Sequence, residues 1–526
     1  METIGILSLL PPLLAIILAM ATKQVLVSLF VAVWVGATLV NNYNPITGLY
    51  SAFADYTFNA LGNPDNAAVI IMVVFCGSFS YLLETGGGAR VFADTLARKI
   101  KGPKGAQVMA ALGGTIIFFS DSTNPVLIGP VFKPLTDKMK VSREKLAYIV
   151  DATSATMPSM FFFTSWGAYI LSIMNQQFES IGMDVNGIVM FNRSIPFMFY
   201  TVGAVILVYF IAVTGFDFGP MEKAEKRASE TGKVIADEDA TEALTREVVI
   251  PEGATPKLSS MVVPLIVLVV FIFGGLLWTG GFPERGLADA MANAASMKAL
   301  VTAFAIATVV AAIYTIKDKV YTIKEAIAAT THGFANMMEC CCILVLAWSI
   351  GDVCDAVGTT AYMVNLTQDF LTPTMLYVVM FIVCSFTAFC TGTSWGTFAI
   401  YLPISIPLAY AIGAPIEPAI GLVIAGGIFG DHCSPISDTT VLSSMGSSCN
   451  HLAHVRTQLP YAVCVAGASA IAFIEVGLLS DTVGLIPSGL IGMVITILGS
   501  WLFAFVAHKA YMKKHYGTVK LSLIHI

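Results

Sequence analysis

The stretch Gly430-Asp431-His432-Cys433-Ser434-Pro435-Ile436-Ser437-Asp438-Thr439-Thr440 decides how this chain reads. It gathers two carboxylates, an imidazole and several hydroxyls around a proline, between long apolar runs. No Lys or Arg lies between Lys324 and Arg456, yet the same region also holds Asp352 and Asp355. Just upstream, Thr391-Gly392-Thr393-Ser394-Trp395-Gly396 again sets a helix breaker beside side-chain oxygens. Charge within a membrane span is costly and marks an ion or substrate path. A kinked helix with oxygen ligands is the chemistry of a cation site, and it points to a transporter.

Composition agrees. Of 526 residues, 56% are hydrophobic and 12% charged, against about 25% charged in a soluble domain. Many segments reach the roughly 20 apolar residues that cross a bilayer, so a large soluble core is excluded. The net charge of −6 carries little weight, because Lys and Arg placement sets orientation. Met1-Glu2 lacks the basic start of a cleavable signal, and the first apolar run carries Pro11-Pro12. The ten cysteines form no CxxC pair and read as small apolar helix residues.

The expected fold class is an all-α polytopic membrane protein. About eleven spans fall near 4–20, 23–40, 66–85, 145–175, 194–215, 259–281, 298–316, 332–353, 417–446, 458–480 and 484–507. Two further apolar segments, 107–132 and 374–410, read as re-entrant hairpins. The first is flanked by Arg90, Arg98, Lys99, Lys101 and Lys104 before it and by Lys133, Lys138, Lys140, Arg143 and Lys145 after it. Basic residues stay in the cytoplasm, so this segment enters and leaves on that side. The second has no basic flank and dips in from outside. On this map Lys23, Lys317, Lys319, Lys324, Arg456, Lys509, Lys513 and Lys514 all fall inside, and the base-free loop 41–65 falls outside. The N-terminus is then external and the C-terminus cytoplasmic, in a plasma (inner) membrane. Residues 216–258 read as a mobile cytoplasmic linker. They divide a first half, 1–215, from a second half, 259–480, with a last span and tail at 481–526.

The halves echo each other. Each runs span, hairpin, broken span, span. Phe119-Ser120-Asp121-Ser122-Thr123-Asn124-Pro125 stands against Cys390–Gly396 at the hairpin tips. Asp151-Ala152-Thr153-Ser154-Ala155-Thr156-Met157-Pro158 stands against Gly430–Pro435 in the broken spans. Opposite orientations make this an inverted-topology repeat, with sites near the midplane where half-helices meet.

At the tips, Gly and Pro free backbone carbonyls, which membrane depth tolerates only in protein or against a wet cavity. Hard cations take oxygen ligands. The candidate ion or substrate residues are Ser120, Asp121, Ser122, Thr123 and Asn124; Asp151, Thr153 and Ser154; Thr391, Thr393 and Ser394; and Asp431, His432, Ser434, Asp438 and Thr439. The plainer alternative is that the hydroxyls bond back to helix carbonyls and the glycines permit close packing. A carboxylate withdrawn from water resists ionisation until a cation replaces its hydration, so one carboxylate can hold either a proton or sodium. Asp431 is the first choice for that exchange and Asp151 its counterpart. His432 is a proton carrier or a hydrogen-bonded structural group. Glu84, Asp352 and Asp355 sit near span ends and face water. Glu339 and Glu475 pair across helices. Trp166, Trp348, Trp395 and Phe161-Phe162-Phe163 read as packing or interfacial anchors, or as a wall around an organic substrate. The basic stretch Arg90–Lys104 is an amphipathic connector and no nucleic-acid patch.

The strings Gly430–Thr440 and Thr391–Gly396 resemble the hallmark motifs of the NhaC family of sodium/proton antiporters. Gly129-Pro130, Thr136-Asp137-Lys138, Ser142–Tyr148 and Ser165-Trp166-Gly167 fit it too, so the resemblance covers nearly the whole chain. It implies a secondary transporter with no cofactor, embedded in lipid as a homodimer, moving a transport domain past a scaffold to exchange Na+ and H+. It places sodium at Ser122, Thr123, Asn124, Thr391, Thr393 and Ser394, with Asp431 as coupling carboxylate. The first hairpin departs from the family: Asp121-Ser122-Thr123-Asn124-Pro125 replaces paired acids and an aromatic, and is closer to sodium-coupled carboxylate carriers. The family includes carriers of malate and lactate, so a sodium- or proton-coupled carrier of a small organic acid or amino acid is the alternative. An intramembrane protease would need Gly-x-Gly-Asp or HExxH, and neither occurs. A channel suits paired hairpins and a titratable carboxylate less well than a carrier.

Overall fold

The computed structural model describes residues 4–22, 24–97, 102–118, 121, 123–236, 251, 253–287, 290, 293–359, 361–362 and 371–516. Ser120 and Ser122 of the first hairpin tip, Lys23, the flanking bases Arg98, Lys99 and Lys101, the linker segment 237–250 and the tail from 517 lie outside them. Every element among the described residues is helical.

The helices used below are α1 (Leu10–Thr22), α2 (Val25–Val40), α3 (Pro64–Thr85), α4 (Gly102–Ile116), α5 (Thr123–Lys138), α6 (Arg143–Ser154), α7 (Ser165–Ser180), α8 (Phe199–Thr214) and α9 (Gly219–Thr231). They continue as α10 (Ser259–Thr279), α11 (Ser296–Lys317), α12 (Ile323–Asn336), α13 (Met338–Ala356), α14 (Pro373–Thr391), α15 (Ser394–Ala411), α16 (Ile416–Cys433), α17 (Asp438–Ser447), α18 (His451–Val483) and α19 (Leu485–Tyr516).

Among the described residues, eight helices are long and apolar enough to cross a bilayer, or up to ten if each of two bent pairs counts as one span. That is fewer than the eleven expected from sequence. The run at 4–20 yields only a short apolar helix, Gly5–Ala19. The run at 145–175 is interrupted between α6 and α7, and neither piece reaches bilayer length. Conversely, α14, expected as a hairpin arm, is by itself long enough to span.

A packed helix pair falls at each position where a hairpin is expected. α4 packs on α5, and α14 packs on α15 around Gly392 and Thr393. The second turn is local chemistry: α14 ends at Gly392 with φ of 70°, a left-handed conformation that suits glycine. A side chain there would also meet Ile436, with its Cβ 2.7 Å from Ile436 Cγ1. Each second arm carries two prolines four apart, Pro130 and Pro134 in α5, Pro403 and Pro407 in α15. A proline removes an N–H and leaves the carbonyl four residues back without its helix partner.

Helix breaks fall within both segments expected as broken spans. α16 stops at Cys433; Ser434, before Pro435, is extended at φ −73° and ψ 131°. Ser437 then caps α17, accepting from Thr440 N, and the two pieces meet at 45°. In the first half the helix is interrupted beyond Ser154, and Thr164 caps α7 by accepting from Gly167 N.

The 216–258 connection is docked over the part described. Arg227 forks onto both Glu144 carboxylate oxygens at 3.0 Å. Ser142 N donates to Glu225 Oε1 at 2.8 Å, and Arg143 N to Val234 O at 3.1 Å. Buried Lys145 pairs with Asp217, which also accepts from Tyr461 OH at 2.5 Å. The strap therefore grips the base of α6, the helix that carries Asp151. Burial, with help from Asp217, pushes Glu222 up to about 7; burial pushes Glu225 to about 7 against the pull of Lys145.

Candidate functional site

The two hairpins and two broken helices converge. α5 packs on α6 and α17; α15 and α14 pack on α16; α18 runs against α6, α16 and α17. Small residues let the backbones close up. A Cβ on Gly129 of α5 would lie 2.4 Å from Gly446 C, and one on Gly446 of α17 would lie 2.1 Å from Pro125 O. Hairpin 1 and the second broken helix thus touch backbone to backbone.

Each hairpin tip bonds the broken helix of its own half. Asn124 Nδ2 donates to Gly114 O at 2.9 Å across the hairpin and reaches Thr153 Oγ1 at 3.4 Å. Ser394 Oγ donates to Asp431 Oδ2 at 2.6 Å and contacts Gly427 O at 3.2 Å. One oxygen remains at each place: Asn124 Oδ1 and Asp431 Oδ1 are buried without a hydrogen-bond partner. A buried acceptor left unpaired costs about 1–3 kcal/mol, and in a native protein it needs an occupant or a function.

Asp151 is satisfied differently. Gln458 Nε2 donates to its Oδ2 at 2.7 Å and Ser443 Oγ to its Oδ1 at 3.2 Å. The same Gln458 amide donates to His432 O, so one side chain on α18 ties the two broken helices together. His454 Nε2 lies 3.9 Å from Asp151 Oδ2. Asp151 and Asp431 are 0% and 2% exposed, and no Lys or Arg among the described residues pairs with either.

The remaining expected residues sort by surroundings. Asp121, partly buried, accepts from Trp166 Nε1 at 3.1 Å. Trp166 meets Trp395 with ring centroids 5.1 Å apart, so the two tips are linked through these indoles. Thr153, Ser154 and Thr391 donate back to their own helices, at Ile149 O, Asp151 O and Thr387 O; a hydroxyl so engaged still has lone pairs for a cation. Thr393 precedes α15 without capping it. Ser434 donates to Phe389 O at 2.8 Å, fastening the break to hairpin 2. Thr439 bonds Ser437 within the turn. Asp438 is exposed at the head of α17, where its Oδ1 accepts from Thr439 N. His432 Nδ1 bonds Tyr200 OH at 2.7 Å, while its Nε2 is buried and unpartnered. Thr123 opens α5; its side chain lies outside the described residues.

Gln458, Ser443, Tyr200 and His454 were not foreseen. Ser443 sits inside the expected broken span, but Arg456-Thr457-Gln458 reads from sequence as a span end at the water boundary. Long-range pairing alone reveals it. Glu475 does pair across helices, accepting from Ser488 Oγ at 3.1 Å. Asp352 accepts from Gln176 Nε2 at 3.0 Å. With Asp355, Glu179, Asp184 and Lys298 it lines a cavity of about 910 Å³.

Comparison with known proteins gives these features a lineage. A 521-residue match at 32% identity, covering 95% of both chains, is to an uncharacterised protein of Haemophilus influenzae. A shorter match, 34% identical over 149 residues, covers 28% of this chain and 32% of the malate-2H+/Na+-lactate antiporter of Bacillus subtilis. The fold is similar to that of the YdaH transporter of Alcanivorax borkumensis, with TM-score 0.53 at 14% identity over 94% of this chain and 98% of that one. The model of the Na+/H+ antiporter family matches residues 157–478, which take in hairpin 2, the second broken helix, Gln458 and the Trp166–Trp395 contact. The chain is an integral, multi-pass membrane transporter and belongs to the Na+/H+ antiporter family.

Proposed function

We propose that this chain exchanges sodium for protons by alternating access, with the hairpins and broken helices forming a body that moves in the elevator manner. The observation that carries the reading is the pair of buried carboxylates, Asp151 and Asp431, with no Lys or Arg partner among the described residues. An uncompensated buried charge is too costly to keep, so each must be neutralised by a proton or a bound cation. Asp431 Oδ1 and Asn124 Oδ1 offer open lone pairs, and Ser394, Thr393 and Thr391 add hydroxyls and carbonyls beside a helix break. That set suits a small hard cation. Asp151 already takes two protein donors and is assigned the proton.

The two halves read as an inverted-topology repeat, with hairpin 1 opening to the cytoplasm and hairpin 2 to the outside. The distribution of basic residues supports an external N-terminus and a cytoplasmic C-terminus in the inner membrane. A homodimer completes the scaffold. Sodium and the proton are cargo, and the reading involves no resident cofactor.

The second reading is a sodium- or proton-coupled carrier of a small organic acid or amino acid. The Bacillus subtilis relative and the Trp166–Trp395 wall favour it. Against an organic anion, no Lys or Arg among the described residues pairs with Asp151 or Asp431, and the 910 Å³ cavity carries Asp352, Asp355, Glu179 and Asp184 against Lys298. Purified protein in proteoliposomes separates the two. A proton gradient drives sodium uptake with no organic solute present if the first is right. Sodium movement only with malate, lactate or an amino acid would replace it with the second.

A further inference from the structure

A chain of polar side chains leads away from Asp151 toward the face that carries Lys133 and Arg143, and its hydrogen count is unusual. Ser444 Oγ on α17 contacts three atoms: Thr440 O at 2.8 Å, His451 Nδ1 at 3.0 Å and His454 Nδ1 at 2.8 Å. The far nitrogens of both rings are fixed as donors. His451 Nε2 faces Pro435 O at 2.6 Å, and a carbonyl only accepts. His454 Nε2 faces Gln458 Oε1 at 3.0 Å. That amide cannot be reversed, because its Nε2 serves Asp151 Oδ2 and His432 O, both acceptors. Two neutral rings therefore turn bare Nδ1 atoms toward one hydroxyl that has a single hydrogen. The cluster is short of protons, and a proton added at either Nδ1 makes a new donor to Ser444 Oγ.

We propose that His451, Ser444 and His454 relay the proton between the base-rich face and Asp151. This rests on the sodium/proton reading and adds the residues that serve its proton arm. His454 is fully buried and His451 partly exposed, so the cluster runs from solvent inward. A proton accepted by His451 sits at Nδ1 and passes to Ser444 Oγ. The Ser444 hydrogen passes to His454 Nδ1. The His454 ring then swings its Nε2 hydrogen from Gln458 Oε1 to Asp151 Oδ2, 3.9 Å away in this structure, and gives it up there. Each step breaks one N–H or O–H bond and forms another, and the net change is one proton moved from His451 to Asp151. The reverse sequence returns the proton from Asp151 to His451 and restores the starting tautomer of each ring. The other titratable groups facing the cluster are His432 on α16 and Asp438 at the head of α17. Lys133 on α5 is engaged with Ser448 Oγ at 3.1 Å, and Arg143 with Asp137 and Ser448 O.

Two fluxes test this in proteoliposomes of the full chain: exchange of radioactive sodium for sodium, which needs no proton, and sodium uptake driven by a pH gradient. His454→Gln, His451→Gln and Ser444→Ala each leave sodium–sodium exchange within about twofold and lower proton-driven uptake at least about 100-fold, the low end for losing a proton-transfer group. The relay is overturned if His454→Gln and Ser444→Ala keep proton-driven uptake near the wild-type rate. It is equally overturned if both fluxes fall together, since that is the mark of a structural role. A wild-type protein without solute-independent exchange defeats the parent reading instead, so the two failures are told apart.

Discussion

Replacing Asp431 by Asn is the sharpest perturbation of the proposed sodium site, because it removes a charge while keeping the shape. Asp431 Oδ2 accepts from Ser394 Oγ at 2.6 Å, and its other oxygen has no partner. An asparagine with its oxygen toward Ser394 keeps that hydrogen bond and turns its NH2 to the open position. The fold loses only the charge-assisted part of one bond, which is roughly twice as strong as a neutral one, or about 1 kcal/mol. The cation loses far more. Sodium about 2.5 Å from a carboxylate oxygen gains about 6–7 kcal/mol at an effective dielectric of roughly 20, and most of that offsets dehydration of the ion. If only about 2–3 kcal/mol is net, its removal weakens sodium binding about 30- to 150-fold. Equilibrium binding of radioactive sodium to the purified variant gives this ratio directly, and thermal unfolding in detergent reports the fold. An Asp431→Asn protein that binds sodium within threefold of the parent and still exchanges protons would refute the assignment.

Four further outcomes follow from the same geometry. A proton on Asp151, felt at Asp431 through Gln458, raises the sodium concentration for half-maximal rate as pH falls; a pH-independent value contradicts coupling between the two acids. Thr393→Val raises that concentration severalfold with little change in maximal rate, because Thr393 is assigned as a ligand and does not cap α15; unchanged kinetics remove it from the site. Gly446→Ala forces a Cβ to within 2.1 Å of Pro125 O, so hairpin 1 and α17 must part. Overpacking of this kind costs about 1–3 kcal/mol, seen as a lower unfolding temperature together with weaker sodium binding. Last, Glu222 and Glu225 are held near 7 when α9 is docked against an ordinary 4.5 when it is free. Their protonated forms favour docking, so the strap is firmest below about pH 4.5 and loosens as pH rises through about 7. Amide exchange across 219–231, corrected for intrinsic rate, is faster at pH 8 than at pH 5, and Glu225→Gln flattens the difference.

The helix breakers were legible in the sequence because they act locally. Gly392 and Pro435 set their own turns whatever surrounds them, and both hairpins and both breaks fall where Gly and Pro stand among apolar residues. Span count was less legible. A hydropathy run does not show how long its helix is, so 4–20 reads as a span although it yields only the short apolar helix Gly5–Ala19. The docked strap was unreadable for the opposite reason. Its charges look solvated in sequence, and only the fold brings Arg227 to Glu144 and Asp217 to Lys145. Gln458 failed on both counts, being polar, next to Arg456 and bonded to residues 307 and 26 positions away.

Each hairpin meets a broken helix, but the two contacts are not chemically equal, and on the proposed reading exchange depends on that difference. Hairpin 1 presents an amide, Asn124, to a hydroxyl, Thr153; hairpin 2 presents a hydroxyl, Ser394, to a carboxylate, Asp431. The carboxylate of the first broken helix, Asp151, is taken up instead by Gln458 and Ser443 from the second half. A pair of equivalent carboxylates would load two like cations and couple nothing. Here both oxygens of one acid meet protein donors, with His454 3.9 Å away, while the other keeps an oxygen open beside a helix break. On the proposed reading the first is fitted to hold a proton and the second a metal ion. Gln458, bonded at once to Asp151 and to the carbonyl next to Asp431, makes each occupancy felt by the other. Gln458→Leu tests that coupling directly. Sodium binding persists, but its dependence on pH weakens, because the link between the two acids is gone. If sodium binding in Gln458→Leu keeps the full pH response of the parent, the two sites communicate by some other contact and Gln458 serves packing alone.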